Sequence, residues 1–323
     1  MATTRHDRAA GALLADHKVR LQRASQAVAA SAEEARLARS LRDTAIRDAV
    51  AAGLSLRQIG GALGLSPQGV ATAAAQGQPL YNTIGRSYSR TRQPDPRIRD
   101  AIWAGLGGAR SVVNVGAGAG SYEPPQTLLA VEPSLVMVAQ RPEGLAPAAV
   151  TTAERIPLPD DSVDAALCVL TVHHWPDVAA GFREIRRVAR SAVVFTWDFE
   201  VSRRFWLCDY IPAINELDAR IALPIPDLCS LLGTDDVRPV MVPHDCADGF
   251  LGAFWRRPEA YLDPEVRAGI SSLARLDQSV ANAGLELLVE DLRSGAWQRR
   301  YQALLERDEF DAGYRLVVAR WDR

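Results

Sequence analysis

The sequence predicts an α/β protein in which a small all-α domain precedes a doubly wound, mostly parallel sheet. Between residues 112 and 197, short apolar runs alternate with helical segments, which is typical of such a sheet. A glycine-rich loop follows the first of these runs. The first 77 residues contain no Phe, Trp or Tyr, whereas the remainder holds all seven Trp. We therefore expect two domains, 1–77 and 78–323.

The composition excludes several classes of protein. Hydrophobic residues make up 48% and no apolar run is long enough to span a bilayer, so we expect a globular cytoplasmic chain. Lys18 is the one lysine among 37 basic residues, which argues against Schiff-base chemistry and against a P-loop. We expect reduced thiols and no metal site, because the cysteines lack metal-site spacing: Cys168, Cys208, Cys229 and Cys246.

The N-terminal domain begins with a long amphipathic segment at 9–40. Its thin apolar stripe is too long to be buried within so small a domain, so we expect it to pack against a second copy of the chain. This predicts a homodimer through the N-terminal helices.

Residues 42–76 are predicted to form three short helices. The middle one spans 56–63 and has Ser55 as its cap and Gly64 as its stop, and Pro67 opens the third. The stretch 52–70 resembles the helix-turn-helix modules of bacterial transcription regulators. The last helix offers polar side chains for base edges but no Arg or Lys for phosphates: Gln68, Thr72 and Gln76. DNA binding and a dimerisation or docking role remain two alternatives, and the second is favoured.

The segment of the second domain that holds the candidate site residues starts with a strand at 111–115. This strand runs into Gly116, Gly118 and Gly120. Glycines at this spacing allow the backbone to approach a ligand closely. This glycine pattern is not specific by itself, because it also occurs in dinucleotide-binding sites and in simple turns.

Polar residues follow the later strands at their carboxyl ends, where ligands bind in sheets of this kind. Glu132 ends the second strand and can accept both hydroxyls of a ribose, and His173 and His174 follow the fourth. The later strands are predicted at 128–131, 148–152, 165–172 and 192–197, and a last edge strand is predicted at 314–321.

Residues 81–198 resemble the class I S-adenosylmethionine-dependent methyltransferases. The resemblance rests on the glycine loop, on Glu132, and on Ala153-Glu154 followed by Pro-Leu-Pro-Asp-Asp-Ser-Val-Asp at 157–164. It implies a seven-stranded Rossmann-like methyltransferase sheet completed by the edge strand at 314–321, S-adenosylmethionine as cofactor and a small-molecule acceptor. The implied cofactor contacts are Gly116, Gly118 and Gly120 for methionine and ribose, Glu132 for the ribose hydroxyls, Ala153 and Glu154 for adenine, and Tyr81 and Tyr88 in the segment that closes over the cofactor.

The sequence departs from this family at two points. Asn114 stands at a cofactor-binding position where the family has Asp or Glu, and an amide can form hydrogen bonds but brings no charge. Only Ser121–Thr127 separate Gly120 from the next strand, so a short turn must replace the usual first helix.

A methyl acceptor can need a base with a pKa near neutrality, and three histidines are candidates. By the resemblance His173 and His174 border the transferred methyl group, and Asp245 could orient His244. For each, a purely structural role is the alternative. A metal held by His173, His174 and Asp245 is disfavoured, because neighbouring side chains on a strand point in opposite directions.

An insertion at about 199–258 follows the fifth strand and is rich in aromatic residues. It can close over the crevice as a lid for an apolar or planar substrate, or it can form a satellite core. Its aromatic residues include Phe205, Trp206, Tyr210, Phe250, Phe254 and Trp255.

These observations lead us to expect methyl transfer from S-adenosylmethionine to a small molecule. The alternative is a transcriptional regulator that binds DNA through the helix-turn-helix and senses a metabolite through the methyltransferase-like domain. A nucleic-acid methyltransferase is disfavoured, because residues 78–323 carry 27 basic against 33 acidic residues and lack the Asn/Asp-Pro-Pro-Tyr/Phe motif for a flipped base.

Overall fold

The computed structural model describes residues 55–64, 66 and 88–321. The chain divides into two compact units, Met1–Gln78 and Pro79–Arg323. In the first, the described helix spans Leu56–Leu63 and has the predicted cap: the main-chain N–H of Ser55 donates to Gln58 Oε1 at 2.9 Å, and Gly64 ends the helix with φ +66°. The other predicted helices of this unit, including 9–40, lie outside the described residues.

The described strands of the second unit are β1 Val112–Val115, β2 Thr127–Val131, β3 Ala148–Ala149, β4 Ala165–Val169, β5 Ser191–Trp197, β6 Val237–Pro239, β7 Val242–Pro243, β8 Glu309–Phe310 and β9 Tyr314–Arg320. Seven of them form one sheet in the order β3-β2-β1-β4-β5-β9-β6. Strands β1 to β5 are parallel, and β9 runs antiparallel to both of its neighbours. A separate two-stranded sheet pairs β7 with β8.

Helices cover both faces of the sheet and build the insertion that follows β5. The α-helices in the described part of this unit are Tyr88–Thr91, Pro96–Leu106, Leu135–Val138, Val178–Val188, Phe199–Ser202, Leu207–Tyr210, Ala213–Ile221, Ile225–Leu232, Pro264–Ala268, Ser271–Arg275, Gln278–Ser294, Ala296–Arg300 and Gln302–Leu305. Short 3-10 helices lie at Val172–His174, Leu251–Phe254 and Pro258–Leu262.

Two apolar clusters bury the faces of the sheet. Along β5, Val193 belongs to one cluster and Val194 to the other, as expected when successive side chains of a strand point to opposite faces. The first cluster is closed by Ile102 of the Pro96–Leu106 helix, and the second by Phe182 and Ile185 of the Val178–Val188 helix. Both faces of the sheet are therefore covered by packed helices.

The last strand was expected at an edge of the sheet, and that prediction is wrong. β9 lies between β5 and β6, and Leu316 to Ala319 are buried on both faces. The reason is β6, a three-residue strand that ends in Pro239 and has no alternation to reveal it. The seven-stranded count is confirmed, and so is the turn in place of a first helix after Gly120. No helix in the described part of the chain is long and apolar enough to cross a membrane.

Candidate active site

The loop after β1 is shaped by glycines in left-handed backbone conformations. Gly116, Gly118 and Gly120 have φ values of +70°, +53° and +94°. A Cβ atom at Gly116 would collide with the side chain of Thr171, and one at Gly120 with that of Leu145. Any other residue at these two positions would therefore be strained and would also clash.

Glu132 is the first residue after β2 and connects this loop to the neighbouring strand end. Its buried carboxylate accepts hydrogen bonds from the main-chain N–H of Gly118 at 2.9 Å and from that of Ser134 at 2.8 Å. Burial raises the pKa of Glu132, while the two amide donors favour the ionised form. Each carboxylate oxygen keeps a further lone pair, which fits the ribose role implied for Glu132.

The carboxylate that the sequence lacks at position 114 is provided by Glu123. The side-chain amide of Asn114 donates to Glu123 Oε2 at 3.0 Å, and Arg141 Nη2 forms a buried ion pair with Glu123 Oε1 at 2.9 Å. The charge of this carboxylate is thus balanced within the protein. Asn114 Oδ1 is buried and has no hydrogen-bond partner among the described residues, so it remains free to accept one from a ligand.

The side on which adenine is implied to bind is built around Trp175. Its indole N–H donates to Thr171 Oγ1 at 3.2 Å, and a Cβ at Gly181 would collide with its ring. Ala153 is buried beside Gly181, while Glu154 Oε1 accepts the main-chain N–H of Asp177 at 3.0 Å. The carboxylate of Glu154 therefore helps to fix the start of the Val178–Val188 helix.

Two further implied cofactor residues fall in the N-terminal segment of this unit. Tyr81 lies outside the described residues. Tyr88 begins the Tyr88–Thr91 helix, and its side chain is outside the described part of the structure. Their closing role stays a prediction.

The two adjacent histidines are on a 3-10 turn and not on a strand. Their ring centroids lie 3.7 Å apart, so the side chains point the same way, and the reason given above against a shared metal does not apply. Burial lowers the pKa of His174 to about 4 and holds that of His173 well below its ordinary range, so both are neutral at physiological pH. Among the described residues there is no group of three side chains able to hold a metal ion.

His244 lies apart from this pair. Its Nδ1 is 3.2 Å from the main-chain oxygen of Asp308. Asp245, expected to orient it, instead forms an exposed ion pair with Arg97 at 2.7 Å. His244 does not line the pocket described next, so the structure brings together His173 and His174 but not the third candidate base.

A pocket opens beyond the carboxyl ends of β4 and β5. The space between its walls is about 660 Å³, including the part open to solvent. Leu170 and His173 line it from the segment after β4, and Trp197 ends β5 at its wall. The insertion adds Phe205 and Phe250, whereas its other buried rings pack into the core: Trp206, Tyr210 and Trp255.

A buried acid in the pocket wall has no signal in the sequence. Asp218, on the Ala213–Ile221 helix, is 5% exposed, and its Oδ1 accepts a hydrogen bond from the hydroxyl of Ser272 at 2.8 Å. Burial raises the pKa of Asp218 to about 6. Ser272 lies far along the chain, so only the tertiary structure shows that the two meet in a pocket.

The glycine loop and the pocket share one stretch of backbone. Thr171 packs against Gly116 of the loop, while its neighbour Leu170 and nearby His173 face the pocket. Leu170 has φ +49°, a strained backbone conformation for a bulky residue. Its main-chain N–H donates a hydrogen bond to the main-chain oxygen of Phe195 at 2.7 Å. This stretch therefore places the glycine loop directly beside the pocket.

Comparison with known proteins agrees with this geometry. A family model described as a methyltransferase domain matches residues 113–196, which include the glycine loop, Glu132 and both adjacent histidines. A solved structure of a putative methyltransferase from an antibiotic biosynthesis pathway of Anabaena variabilis is 38% identical to the chain. The match covers 71% of this chain and 98% of that one, with a TM-score of 0.67.

Curated relatives cover less of the chain. Uncharacterized methyltransferases of Mycobacterium tuberculosis and Mycobacterium bovis are 32% identical over 157 residues. These matches cover 45% of this chain and 61% of each relative, so the chain spans about three fifths of the curated relatives it matches.

Proposed function

Because this chain belongs to the class I S-adenosylmethionine-dependent methyltransferases, we propose that it transfers a methyl group from S-adenosylmethionine to a small molecule bound beside His173. The observation that carries the proposal is the stretch after β4, where Thr171 packs on the glycine loop and Leu170 and His173 line the pocket. Cofactor and acceptor would then lie next to each other at the carboxyl end of β4.

The residues around the glycine loop fit the cofactor. The loop leaves no side chain between its backbone and a ligand, and Glu132 has lone pairs left for two ribose hydroxyls. Asn114 Oδ1 offers a buried acceptor without a partner among the described residues. Ala153 and Glu154 supply the adenine side, and Tyr81 and Tyr88 the closing segment.

When bound, S-adenosylmethionine supplies a methyl group on a positively charged sulfur. The task of the protein is then to hold the nucleophile in line with that methyl group, because no new charge has to be stabilised. Trp197, Phe205 and Phe250 surround the pocket with rings that exclude water and position an apolar body.

We assign His173 the role of orienting the attacking group. Its Nδ1 is buried without a partner among the described residues and its ring lines the pocket. Because burial lowers the pKa of His173 and His174, both imidazoles are neutral and accept hydrogen bonds, but they are weak bases. They therefore suit an acceptor that needs orientation more than one that needs a strong base.

A small molecule suits this pocket better than a polymer. The insertion brings Phe205 and Asp218 over the strand ends, so the space is bounded on several sides. The Anabaena protein is described as a putative methyltransferase from an antibiotic biosynthesis pathway, and that description supports a small-molecule acceptor for this chain.

The proposal includes a homodimer formed through residues 9–40. Sedimentation velocity of the full chain and of a chain lacking residues 1–77 tests this: the full chain should be dimeric and the shortened chain monomeric. A gel-shift screen of the same two proteins tests DNA binding.

Calorimetric titration with S-adenosylhomocysteine is the direct test of cofactor use. We expect one binding site per chain. In a separate turnover assay, the protein is supplied with S-adenosylmethionine and a library of small amines, phenols and carboxylates, and we expect S-adenosylhomocysteine to be formed. A folded chain that binds neither S-adenosylhomocysteine nor S-adenosylmethionine would overturn the proposed function.

A further inference from the structure

The carboxylate of Asp218 is a buried charge without a counterion. It lines the pocket, its only hydrogen bond among the described residues comes from Ser272, and no described cation forms an ion pair with it. An ionised carboxylate removed from water is costly unless a positive group compensates it. The pocket wall therefore lacks, among the described residues, a positive group paired with Asp218.

None of the described cations near this carboxylate serves as its counterion. Arg92 lines the same pocket, but it forms a buried ion pair with Asp248 at 2.7 Å. Arg275 is near enough to favour the ionised form of Asp218, yet it is exposed and makes no ion pair with it. His173, the remaining titratable base in the wall, is held neutral by burial. Among the charged side chains that line the described pocket, Asp218 is therefore the one that no ion pair neutralises.

Aromatic rings surround the rest of the space. Trp197, Phe205, Phe250 and Tyr314 all line the pocket. The faces of such rings attract organic cations as well as apolar groups. One carboxylate among several rings is thus a chemical environment that suits an amine attached to an apolar body.

Building on the proposed methyl transfer, we propose that the acceptor carries a protonated amine that binds Asp218, on an apolar body packed against these aromatic side chains. A neutral hydroxyl would fill the same space but leave the charge of Asp218 uncompensated. The indole N–H of Trp197 has no hydrogen-bond partner among the described residues and provides a separate donor for an oxygen elsewhere on the acceptor. The amine is the recognition group in this proposal, and the atom that receives the methyl group is a separate matter.

Three probes with the same ring and similar chain length test the charge preference: phenethylamine, phenethyl alcohol and phenylpropionate. Each is titrated by calorimetry into wild-type protein saturated with S-adenosylhomocysteine, at about pH 7, where the amine is charged. We expect phenethylamine to bind about tenfold or more tightly than the alcohol, the size of a charge-assisted hydrogen bond, and phenylpropionate not to bind. Equal binding of amine and alcohol, or no binding of the amine at millimolar concentration, would overturn the inference.

Variants then assign the preference to one side chain. Asp218→Asn keeps the shape and removes the charge, so it should abolish the preference for the amine. Ser272→Ala keeps the carboxylate and should retain the preference, and so should Glu200→Gln, which removes an exposed carboxylate outside the pocket. An amine preference that survives in Asp218→Asn would contradict the assignment.

The two proposals fail separately in this design. Binding of S-adenosylhomocysteine is measured first for every protein. If wild type does not bind it, the proposed function fails. If wild type and variants bind it equally but show no amine preference, only the inference about Asp218 fails.

Discussion

The main-chain N–H of Gly118 donates a hydrogen bond to Glu132 Oε2 at 2.9 Å, and this bond joins the loop after β1 to the end of β2. The second oxygen of the same carboxylate accepts the N–H of Ser134. Glu132 therefore has two tasks, since it shapes the glycine loop and also faces the implied ribose site. The first prediction tests both.

Replacing Glu132 with Gln should weaken binding of S-adenosylhomocysteine about 10-fold to 100-fold, because the amide loses the charge and turns an NH₂ group towards one of two main-chain donors. Calorimetric titration measures the effect. Glu200→Gln is the matched control and should bind like wild type. Unchanged affinity in Glu132→Gln would remove this residue from the cofactor site.

Replacing Gly116 with Ala should lower the free energy of unfolding by about 2 kcal/mol or more, because the position has a positive φ and the new Cβ would collide with Thr171. Gly108→Ala is the control, since a Cβ there meets nothing within 4 Å. Urea denaturation of both variants measures the difference. Equal stability of the two would show that the loop can adapt to a side chain.

Replacing Asn114 with Asp restores the residue type typical of the family but should destabilise this chain by about 2 kcal/mol, because the new carboxylate would face Glu123 at hydrogen-bond distance. The double variant Asn114→Asp/Glu123→Gln exchanges amide and carboxylate and should recover most of the loss. Urea denaturation of the two variants tests the pairing. If the double variant is no more stable than the single one, the two side chains are not coupled.

The His pair should make folding stability fall in mild acid. The pKa of His174 in the folded state is about 4, against 6.5 for the free side chain, so the unfolded chain takes up more protons between these values. Its stabilising contribution is present above pH 6.5 and is lost as the pH falls towards 4. In His174→Gln the free energy of unfolding should therefore change less over this window, as measured by urea denaturation.

Asp218 should act in the opposite direction. Its pKa in the folded state is about 6, above the ordinary 3.8, so ionisation on raising the pH through 6 opposes folding. The stability of Asp218→Asn relative to wild type should rise by about 3 kcal/mol from low to neutral pH, the equivalent of this pKa difference. Thermal denaturation of both proteins over the same pH range gives the sign of this change in relative stability. A constant difference between variant and wild type would mean that Asp218 titrates normally.

Features that depend on neighbouring residues in the chain were predictable from the sequence. The strand before Gly116, the acid after β2 and the capped helix Leu56–Leu63 follow from local patterns of apolar, glycine and capping residues. The local patterns predict six strands of the sheet, and the seventh, β6, was implied only by the resemblance to the methyltransferases, because three residues that end in a proline show no alternation. The neutral state of the histidines was not predictable either, because it depends on burial by side chains that are distant in sequence.

Pairs of distant polar residues could not be found in this way. Glu123 and Arg141 lie on either side of β2, and the partner of Asp218 comes from the later helix Ser271–Arg275. Neither pair has a spacing that marks it, because each is brought together by the packing of irregular segments. The 3-10 turn at Val172–His174 is likewise too short for a periodic signal, so the direction of its two imidazoles was mispredicted.

The position of β9 has a consequence for the order in which the chain can fold during synthesis. In the described sheet β6 pairs with β9 alone, and β9 is made only after the whole stretch from Val240 to Gly313. Val237–Pro239 therefore leaves the ribosome without a partner, while β1 to β5 can already associate. The glycine loop and the strand ends around it can form early, but the wall of the pocket that includes Tyr314 is completed last.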